Sequence, residues 1–472
     1  MAEQVGSDNQ GGYQKRIPIH PRNVKGNFRR FKTAMLLLAY GVFFILPWVR
    51  WEREAGPNQA VLFDIPGRQF YIFDLTVFAQ DIFWLAGFLI IFAWLLFFVT
   101  GVLGRVFCGY FCFQTLWTDA FMFIERWVQG DRPKRLRLSK GPWTVEKVGK
   151  YGLTHAIWLL FAVVSGATFT FYWGDAPTLL VQMLTGEAAF AAYATTGILT
   201  ATTYVMAGLS REQVCTYMCP YARFQSVMFD RDTLIVSYDQ ERGEGPAGRA
   251  KPSRDLKTRE ERQKAGVGDC IDCGYCVQVC PTGIDIRDGL QIQCIHCALC
   301  IDACDQIMDK QGWPRGLIRY TSESALEGKK TRFLKLKTVG YGAAILVVTV
   351  LLALSIANRP DLDASVSQVR QPLFVQMADG STQNSYEIAL NNKTQHRLDL
   401  EIDVVGLEGA LLDLGRVQEI VLDPSQRTTV LARVRYHAEP GDPARLPIGF
   451  EIRDRDGAMD PVRIDSQLSL RP

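Results

Sequence analysis

Histidine is scarce in this chain. There are five in 472 residues, and only His155 falls inside an oily run. A membrane haem held by two histidines at one depth is thereby excluded. Residues 358–472 contain no cysteine, so that stretch is not a disulfide-stapled domain. No G-x-G-x-x-G follows a strand-like segment, which excludes a built-in nicotinamide or flavin site of that kind. The loop Gly174–Glu187 has no basic residue. No small-residue cleavage motif follows the first oily run, so that run is expected to stay as an anchor.

What the chain does have is long apolar runs, unevenly placed. Five are of a length to cross a bilayer, which takes about 20 residues. They are Thr33–Val49, Ile82–Val102, Thr154–Trp173, Ala188–Leu209 and Thr338–Ala357. Soluble cores seldom use a run such as "IFWLAGFLIIFAWLLFFVTGV". Cytoplasmic loops hold an excess of Lys and Arg. The N-terminal segment carries Lys15, Arg16, Arg22, Lys25, Arg29, Arg30 and Lys32 against Glu3 and Asp8. The connection after the second run carries Arg105, Arg126, Arg132, Lys134, Arg135, Arg137, Lys140, Lys147 and Lys150, and "KKTRFLKLK" precedes the fifth. The alternation predicts an α-helical membrane protein with five transmembrane helices, its N-terminus inside and residues 358–472 outside.

This topology puts all twelve cysteines on the inner, reducing side. Cys270, Cys273, Cys276 and Cys280, the last followed by Pro281, match the bacterial ferredoxin spacing C-x2-C-x2-C-x3-C-P. The pattern repeats at Cys294, Cys297, Cys300 and Cys304, with Asp305 where the second proline usually stands. In this pattern the fourth cysteine of each run ligates the other cluster. One 4Fe–4S cluster is therefore expected on Cys270, Cys273, Cys276 and Cys304, and a second on Cys294, Cys297, Cys300 and Cys280. A structural zinc site needs only four ligands and typically shows two C-x2-C pairs, so it fits this run less well. An inserted bacterial 2×4Fe-4S ferredoxin-like domain is the expectation, acting as a wire or small electron reservoir.

The remaining four cysteines form a short internal repeat. "RVFCGYFCFQ" follows the second run and "EQVCTYMCPYARFQ" follows the fourth, giving Cys108/Cys112 and Cys215/Cys219. On a helix, cysteines at i and i+4 share a face. Two such pairs at one depth bring four soft thiolates together, a donor set that favours Cu(I), zinc or an iron–sulfur centre. A single pair would read equally well as inert packing at a helix face; the repetition in matching positions points to metal or redox chemistry.

Residues 239–268 are charged and nearly free of bulky apolar side chains, and read as a flexible or weakly helical link. The basic runs read as surfaces facing lipid headgroups, with no nucleic acid as a partner. From Asp361 onward short alternating segments appear: Tyr386/Ile388/Leu390, Leu398/Leu400/Ile402 and Val430/Ala432/Val434. They predict a C-terminal immunoglobulin-like β-sandwich. His396 and His437 read as surface residues. The expected division is 1–32, a cytoplasmic segment; 33–210, the first four spans with the first thiol pair; and 211–268, the second pair and linker. Then come 269–337, the ferredoxin-like domain; 338–357, the fifth span; and 358–472, a periplasmic β-domain.

This order of parts, with "CGYFC", "CTYMCP", the doubled ferredoxin motif and the external domain, resembles the CcoG/FixG/RdxA family of cytochrome c oxidase accessory proteins. The resemblance covers nearly the whole chain; Asp305 and "RGEGPAGR" depart from its usual pattern. It implies a bacterial inner-membrane protein that reduces Cu(II) to Cu(I) for assembly of cbb3-type oxidase. Cys108, Cys112, Cys215 and Cys219 would bind or reduce copper, and the clusters would supply electrons. The implied partners are oxidase subunits or copper chaperones and transporters. The electron donor, a soluble reductase or quinol, is unknown from sequence, and a homodimer is left open. Two rivals stand beside this reading: a quinol-oxidising polyferredoxin subunit, and a non-enzymatic assembly platform.

Overall fold

The computed structural model describes residues 18–470 apart from 54–55, 254, 395, 416–418 and 458. Lys15, Arg16, Glu3 and Asp8 of the charge count lie outside the described residues. The chain divides into two compact units. The first holds residues 1–46, 84–172 and 178–349, and the second holds 47–83, 173–177 and 350–472.

Among the described residues, four helices are long and apolar enough to cross a membrane. Their α-helical parts are α1 (Asn27–Ile45), α2 (Ile82–Leu103), α3 (Val145–Thr170) and, after an intervening helix, α5 (Leu336–Ala357). At 22 residues, α2 and α5 are each about 33 Å long at 1.5 Å per residue. That length matches a hydrocarbon core of about 30 Å. The predicted run Ala188–Leu209 takes a different form: an α-helix over Phe190–Thr203 (α4) continues as a π-helix over Tyr204–Ser210. Its threonines explain the lower apolarity. The Thr196 and Thr170 hydroxyls of α4 and α3 meet at 2.8 Å, and a Cβ on Gly166 would lie 2.7 Å from the Thr196 carbonyl oxygen. Small and hydroxylated residues let two membrane helices pack closely. His155 of α3 is paired through Nδ1 with the Tyr204 hydroxyl at 2.7 Å.

The cysteine-rich module is built on two short helices, Tyr275–Val279 and Leu299–Gln311. An antiparallel ribbon of Ile235–Tyr238 with Ile318–Thr321 completes it. Residues 239–268, expected as a flexible or weakly helical link, form a strap whose described residues include two short helices, Gln240–Glu244 and Arg259–Lys264. Thr258 and Glu261 form a capping box that starts the helix Arg259–Lys264. Asp269 is held between Arg242 at 2.7 Å and Arg259 at 3.0 Å, and the fully buried Arg262 donates to the Gly268 and Cys270 carbonyls. Polar side chains anchor this segment by pairing with backbone and with one another, so its lack of bulky apolar residues misleads.

The module is also clasped to α1. The buried Asp302 accepts hydrogen bonds from the backbone N–H groups of Phe28 at 3.3 Å and Arg29 at 2.8 Å, capping the helix from outside it. Gly26 makes room for this, since a Cβ there would lie 2.2 Å from the Asp302 Cγ. Arg29 in turn pairs with the buried Asp119 at 2.9 Å.

In the second unit, three short antiparallel strands between Val61 and Phe78 accompany the C-terminal sandwich. One sandwich sheet runs Leu411–Asp413, Arg427–Tyr436, Thr382–Asn392, Leu362–Gln368, with Val375–Gln376 also on Thr382–Asn392. The other runs Ile420–Leu422, Leu398–Val405, Arg445–Asp454, Val462–Ser469. The alternating residues read from the sequence all fill its core, with Tyr386, Ile388 and Leu390 fully buried. Asp81, just before α2, pairs with Arg359 at 3.2 Å and Lys393 at 3.0 Å within the same unit.

Replacing Gly26 by Ala should push Asp302 off the start of α1. The loss of a cap costs about 1 kcal/mol or more, so the Arg29 amide should exchange with deuterium at least ~5-fold faster. Unchanged exchange would show that the clasp does not hold the helix end.

Candidate functional site

Neither thiol pair lies on one continuous helix, contrary to the expectation of a shared i, i+4 face. Cys108 sits in the short helix Val106–Tyr110, whereas Cys112 is the extended N-cap of Phe113–Gln129. Cys215 sits in the π-helical turn Val214–Met218, and Cys219 is the extended N-cap of Pro220–Met228. The break is built alike in both copies. The Cys112 N–H donates to the Phe107 carbonyl at 3.0 Å and the Cys219 N–H to the Val214 carbonyl at 2.8 Å, each five residues back. In the second copy Pro220 enforces the break, because proline suits the first helical position and keeps its predecessor extended.

The four thiols are close enough to feel one another. Burial pushes Cys108 up to about 11 and Cys215 up to about 12. Neighbouring thiols add to this: Cys112 and Cys219 act on Cys108, and Cys112, Cys108 and Cys219 on Cys215. Burial also raises Cys112, against the backbone N–H groups of Thr115 and Gln114 that favour its anion. Burial and mutual repulsion keep these thiols neutral, so they become thiolates only with a cation among them.

The eight remaining cysteines line two cavities. One is lined by Cys270, Cys273, Cys276 and Cys304 with Ile271, Ile307, Met308 and Leu317. The other is lined by Cys280, Cys294, Cys297 and Cys300 with Ile284 and Ile286, and Cys276 borders both. The fourth cysteine of each run thus lies with the opposite triplet. The backbone turns alike in the two copies: Asp272 and His296 are left-handed at the same motif position, and so are Gly274 and Ala298. Left-handed residues other than glycine are costly and mark places where surroundings demand them. Such turns aim successive N–H groups into a concavity that suits an anion.

Among the described residues, no three His, Cys, Asp or Glu side chains are drawn together tightly enough for a single metal ion. In the two four-cysteine cavities that spread suits a cubane, whose corners keep its thiolates apart. Four thiolate donors inside apolar walls fit an iron–sulfur cluster, and burial raises Cys276 and Cys294 to about 12 and drives Cys300 and Cys304 upward. Cys273 alone of the twelve cysteines is exposed.

The first thiol pair's loop and the second cavity are in direct contact. A Cβ on Gly109 would lie 2.8 Å from the Ile295 carbonyl oxygen and 3.0 Å from the Cys297 Cα, both backbone atoms, so only glycine fits. The buried Tyr110 hydroxyl donates to the Cys297 carbonyl at 3.0 Å, and Cys108 shares one apolar cluster with Ile295, Cys297 and Leu299. Sequence reading missed Gly109 and Tyr110, along with Arg105, Gln225 and His296. The Arg105 backbone N–H donates to His296 Nδ1 at 2.9 Å, and its Nε donates to Gln225 Oε1 at 2.9 Å. The Cys108 thiol donates to the same Gln225 oxygen at 3.3 Å. The signal for four of them was their place inside the two repeated motifs, since Arg105 opens "RVFCGYFCFQ" and Gln225 closes "CPYARFQ", whereas His296 lies between two cysteines of the ferredoxin run.

Comparison with known proteins agrees with this layout. The 4Fe-4S dicluster domain family matches residues 210–323, and the Ig-like fold found at the C-terminus of FixG matches residues 352–469. Protein RdxB of Cereibacter sphaeroides is 43% identical, covering 92% of this chain and 91% of its own. The nitrogen fixation protein FixG of Rhizobium meliloti is 40% identical over 94% of this chain and 91% of its own. Protein RdxA of Cereibacter sphaeroides is 41% identical over 92% of each. A crystal structure of a FixG-related protein from Vibrio parahaemolyticus aligns with 24% of this chain and 98% of its own at 20% identity. Its TM-score of 0.21 is too low to bear on the fold.

Gly109→Val should force the Cys108 loop away from Ile295 and Cys297. In reduced, copper-free protein, Cys108 should then be alkylated at least ~10-fold faster, as read by mass spectrometry. An unchanged rate would mean that the two loops do not pack on each other.

Proposed function

The chain belongs to the FixG/RdxA family, and on that premise we propose that it delivers single electrons to Cu(II) held by Cys108, Cys112, Cys215 and Cys219. It is a membrane protein that carries a 4Fe-4S dicluster domain and works in electron transfer. Cys270, Cys273, Cys276 and Cys304 would hold one cluster, and Cys280, Cys294, Cys297 and Cys300 the other. Bound there, 4Fe–4S clusters supply one electron at a time.

Copper enters as substrate. Cu(II) gains one electron and leaves as Cu(I), so a one-electron source balances the redox change, and each thiol that becomes a copper ligand gives its proton to solvent. Soft thiolates favour Cu(I) over Cu(II), which draws the reduction forward. The observation that carries the reading is the backbone contact of Gly109 and Tyr110 with Cys297, which shortens the path between a cluster ligand and Cys108.

Sidedness belongs to the same proposal. We place the N-terminus and both thiol regions in the cytoplasm and the β-domain in the periplasm. Two observations support it: residues 47–83 and 173–177 group with the β-domain, while the N-terminal segment groups with the cysteine-rich module. Delivery of Cu(I) to a cbb3-type oxidase rests on the family resemblance.

One observation favours the quinol-oxidising rival. An apolar cavity lined by Phe43, Phe113, Gln114, Trp117, Phe169 and Met206 begins one residue from Cys112, in the membrane part of the first unit. Aromatic walls with a few polar groups suit a ring-bearing lipid-soluble ligand. Under that reading a quinol would be the donor, and a quinol analogue should slow cluster reduction.

The deciding experiment is anaerobic. Protein reduced with dithionite and freed of excess reductant is titrated with Cu(II), and cluster absorbance and Cu(I) are followed together. One Cu(I) should appear per electron lost by the clusters. Replacing Cys108, Cys112, Cys215 and Cys219 by Ser should leave about eight iron per chain, as two cubanes require, while slowing Cu(I) formation at least ~100-fold. Equal rates in the variant would defeat the copper reading, and normal oxidase maturation in it would favour the platform.

A further inference from the structure

Two buried arginines have no carboxylate partner among the described residues. Arg105 is 3% exposed and Arg262 is 0% exposed. Other buried arginines here are paired: Arg135 meets Glu125 at 3.0 Å, and Arg211 meets the same carboxylate at 2.6 Å. Arg262 donates instead to carbonyls, those of Gly268 at 2.7 Å, Ala250 at 3.0 Å and Cys270 at 2.9 Å. Its Nη1 has no hydrogen-bond partner. Arg105 donates to the Ile292 carbonyl and to Gln225 Oε1, again neutral oxygens.

Arginine keeps its charge in any protein setting. A charge out of water without an opposite one paired to it is heavily penalised. The Asp269 carboxylate that acts on Arg262 is already paired with Arg242 and Arg259, so each arginine calls for a further anion nearby. The positions say which. Arg262 holds the carbonyl of Cys270, which lines the first four-cysteine cavity. Arg105 holds the carbonyl of Ile292, two residues before Cys294 of the second cavity, and its backbone N–H donates to the His296 ring.

We propose that Arg262 and Arg105 are the built-in counter-cations of the two cluster sites, one for each, and that Arg105 is shared with the copper-binding thiols. The sharing runs through Gln225, whose one oxygen accepts from both Arg105 Nε and the Cys108 thiol. This inference rests on the iron–sulfur reading of both cavities. A cluster on four thiolates is anionic and gains a further negative charge on reduction. A fixed cation beside it therefore stabilises the reduced state more than the oxidised one and raises the potential. Both residues are positioning residues; neither touches substrate.

The test is a redox titration of the full-length protein in detergent, with each cluster followed by electron paramagnetic resonance. Iron and acid-labile sulfide are counted in parallel. Arg262→Gln should lower the midpoint potential of one cluster and leave the other in place. Arg105→Gln should lower the potential of the other cluster. It should also weaken Cu(I) binding at the thiols by at least ~10-fold, an effect absent from Arg262→Gln. Should a Gln variant lose its cluster, the Lys variant decides: it keeps the charge and should hold the wild-type potential. The inference is overturned if a Gln variant with full iron shows both potentials unmoved. It is equally overturned if both variants shift the same cluster, or if a Lys variant shows a fall. A wild-type iron count short of two cubanes would instead defeat the underlying reading, whatever the arginines do.

Discussion

The chemistry of this protein depends on one close approach, that of Gly109 to the backbone of Ile295 and Cys297. It brings the thiol-bearing end of a membrane helix against the wall of a four-cysteine cavity. A side chain there would part the two. Around it the surrounding contacts are consistent: Tyr110 holds the Cys297 carbonyl, Cys108 joins the apolar cluster of that loop, and Asp302 clasps the module to the start of α1. The membrane helices thus deliver sulfur to a fixed place and the cysteine-rich module meets it there.

Electrostatics then sets what such a place can hold. Twelve cysteines are crowded into three groups, and burial disfavours the anions of Cys108, Cys215, Cys276, Cys294, Cys300 and Cys304. Left alone those six thiols would stay protonated; with a metal centre among them they would become ligands. The two carboxylate-free arginines belong to the same balance, since a buried cation beside an empty apolar pocket would be a liability. The ordered strap from 239 to 268 makes sense in these terms, because it carries Arg262 to its place and holds Asp269 between two further arginines.

The repeat within the membrane part has a structural meaning beyond its cysteines. In both copies the second cysteine opens a new helix, and in both the break is closed by a hydrogen bond to the residue five back. At the first break the Cys112 thiol faces the backbone N–H groups of Gln114 and Thr115, which favour its anionic form against burial. The π-helical course of Tyr204–Ser210 and Val214–Met218 brings the second copy to its break through a widened backbone, a departure common at functional sites.

Local pattern by itself determined much of this protein. The apolar runs marked the spans, because a bilayer demands length and oiliness that any sequence must show openly. Cysteine spacing announced the 4Fe-4S dicluster domain, since three-residue steps are the geometry of the loop itself. Alternation at Tyr386, Ile388 and Leu390 foretold a sandwich core, as the pleat has a period of two. The tertiary structure alone decided the rest. Gly109 is one glycine among 40 until the loop at Ile295 arrives against it. Arg105 and Arg262 are two of 52 basic residues until burial leaves them with neutral oxygens as hydrogen-bond partners. The strap looked flexible because its anchors are hydrogen bonds to distant backbone, which leave no mark on composition. Contacts between segments far apart in the chain carry no local periodicity, so only folding could make them visible.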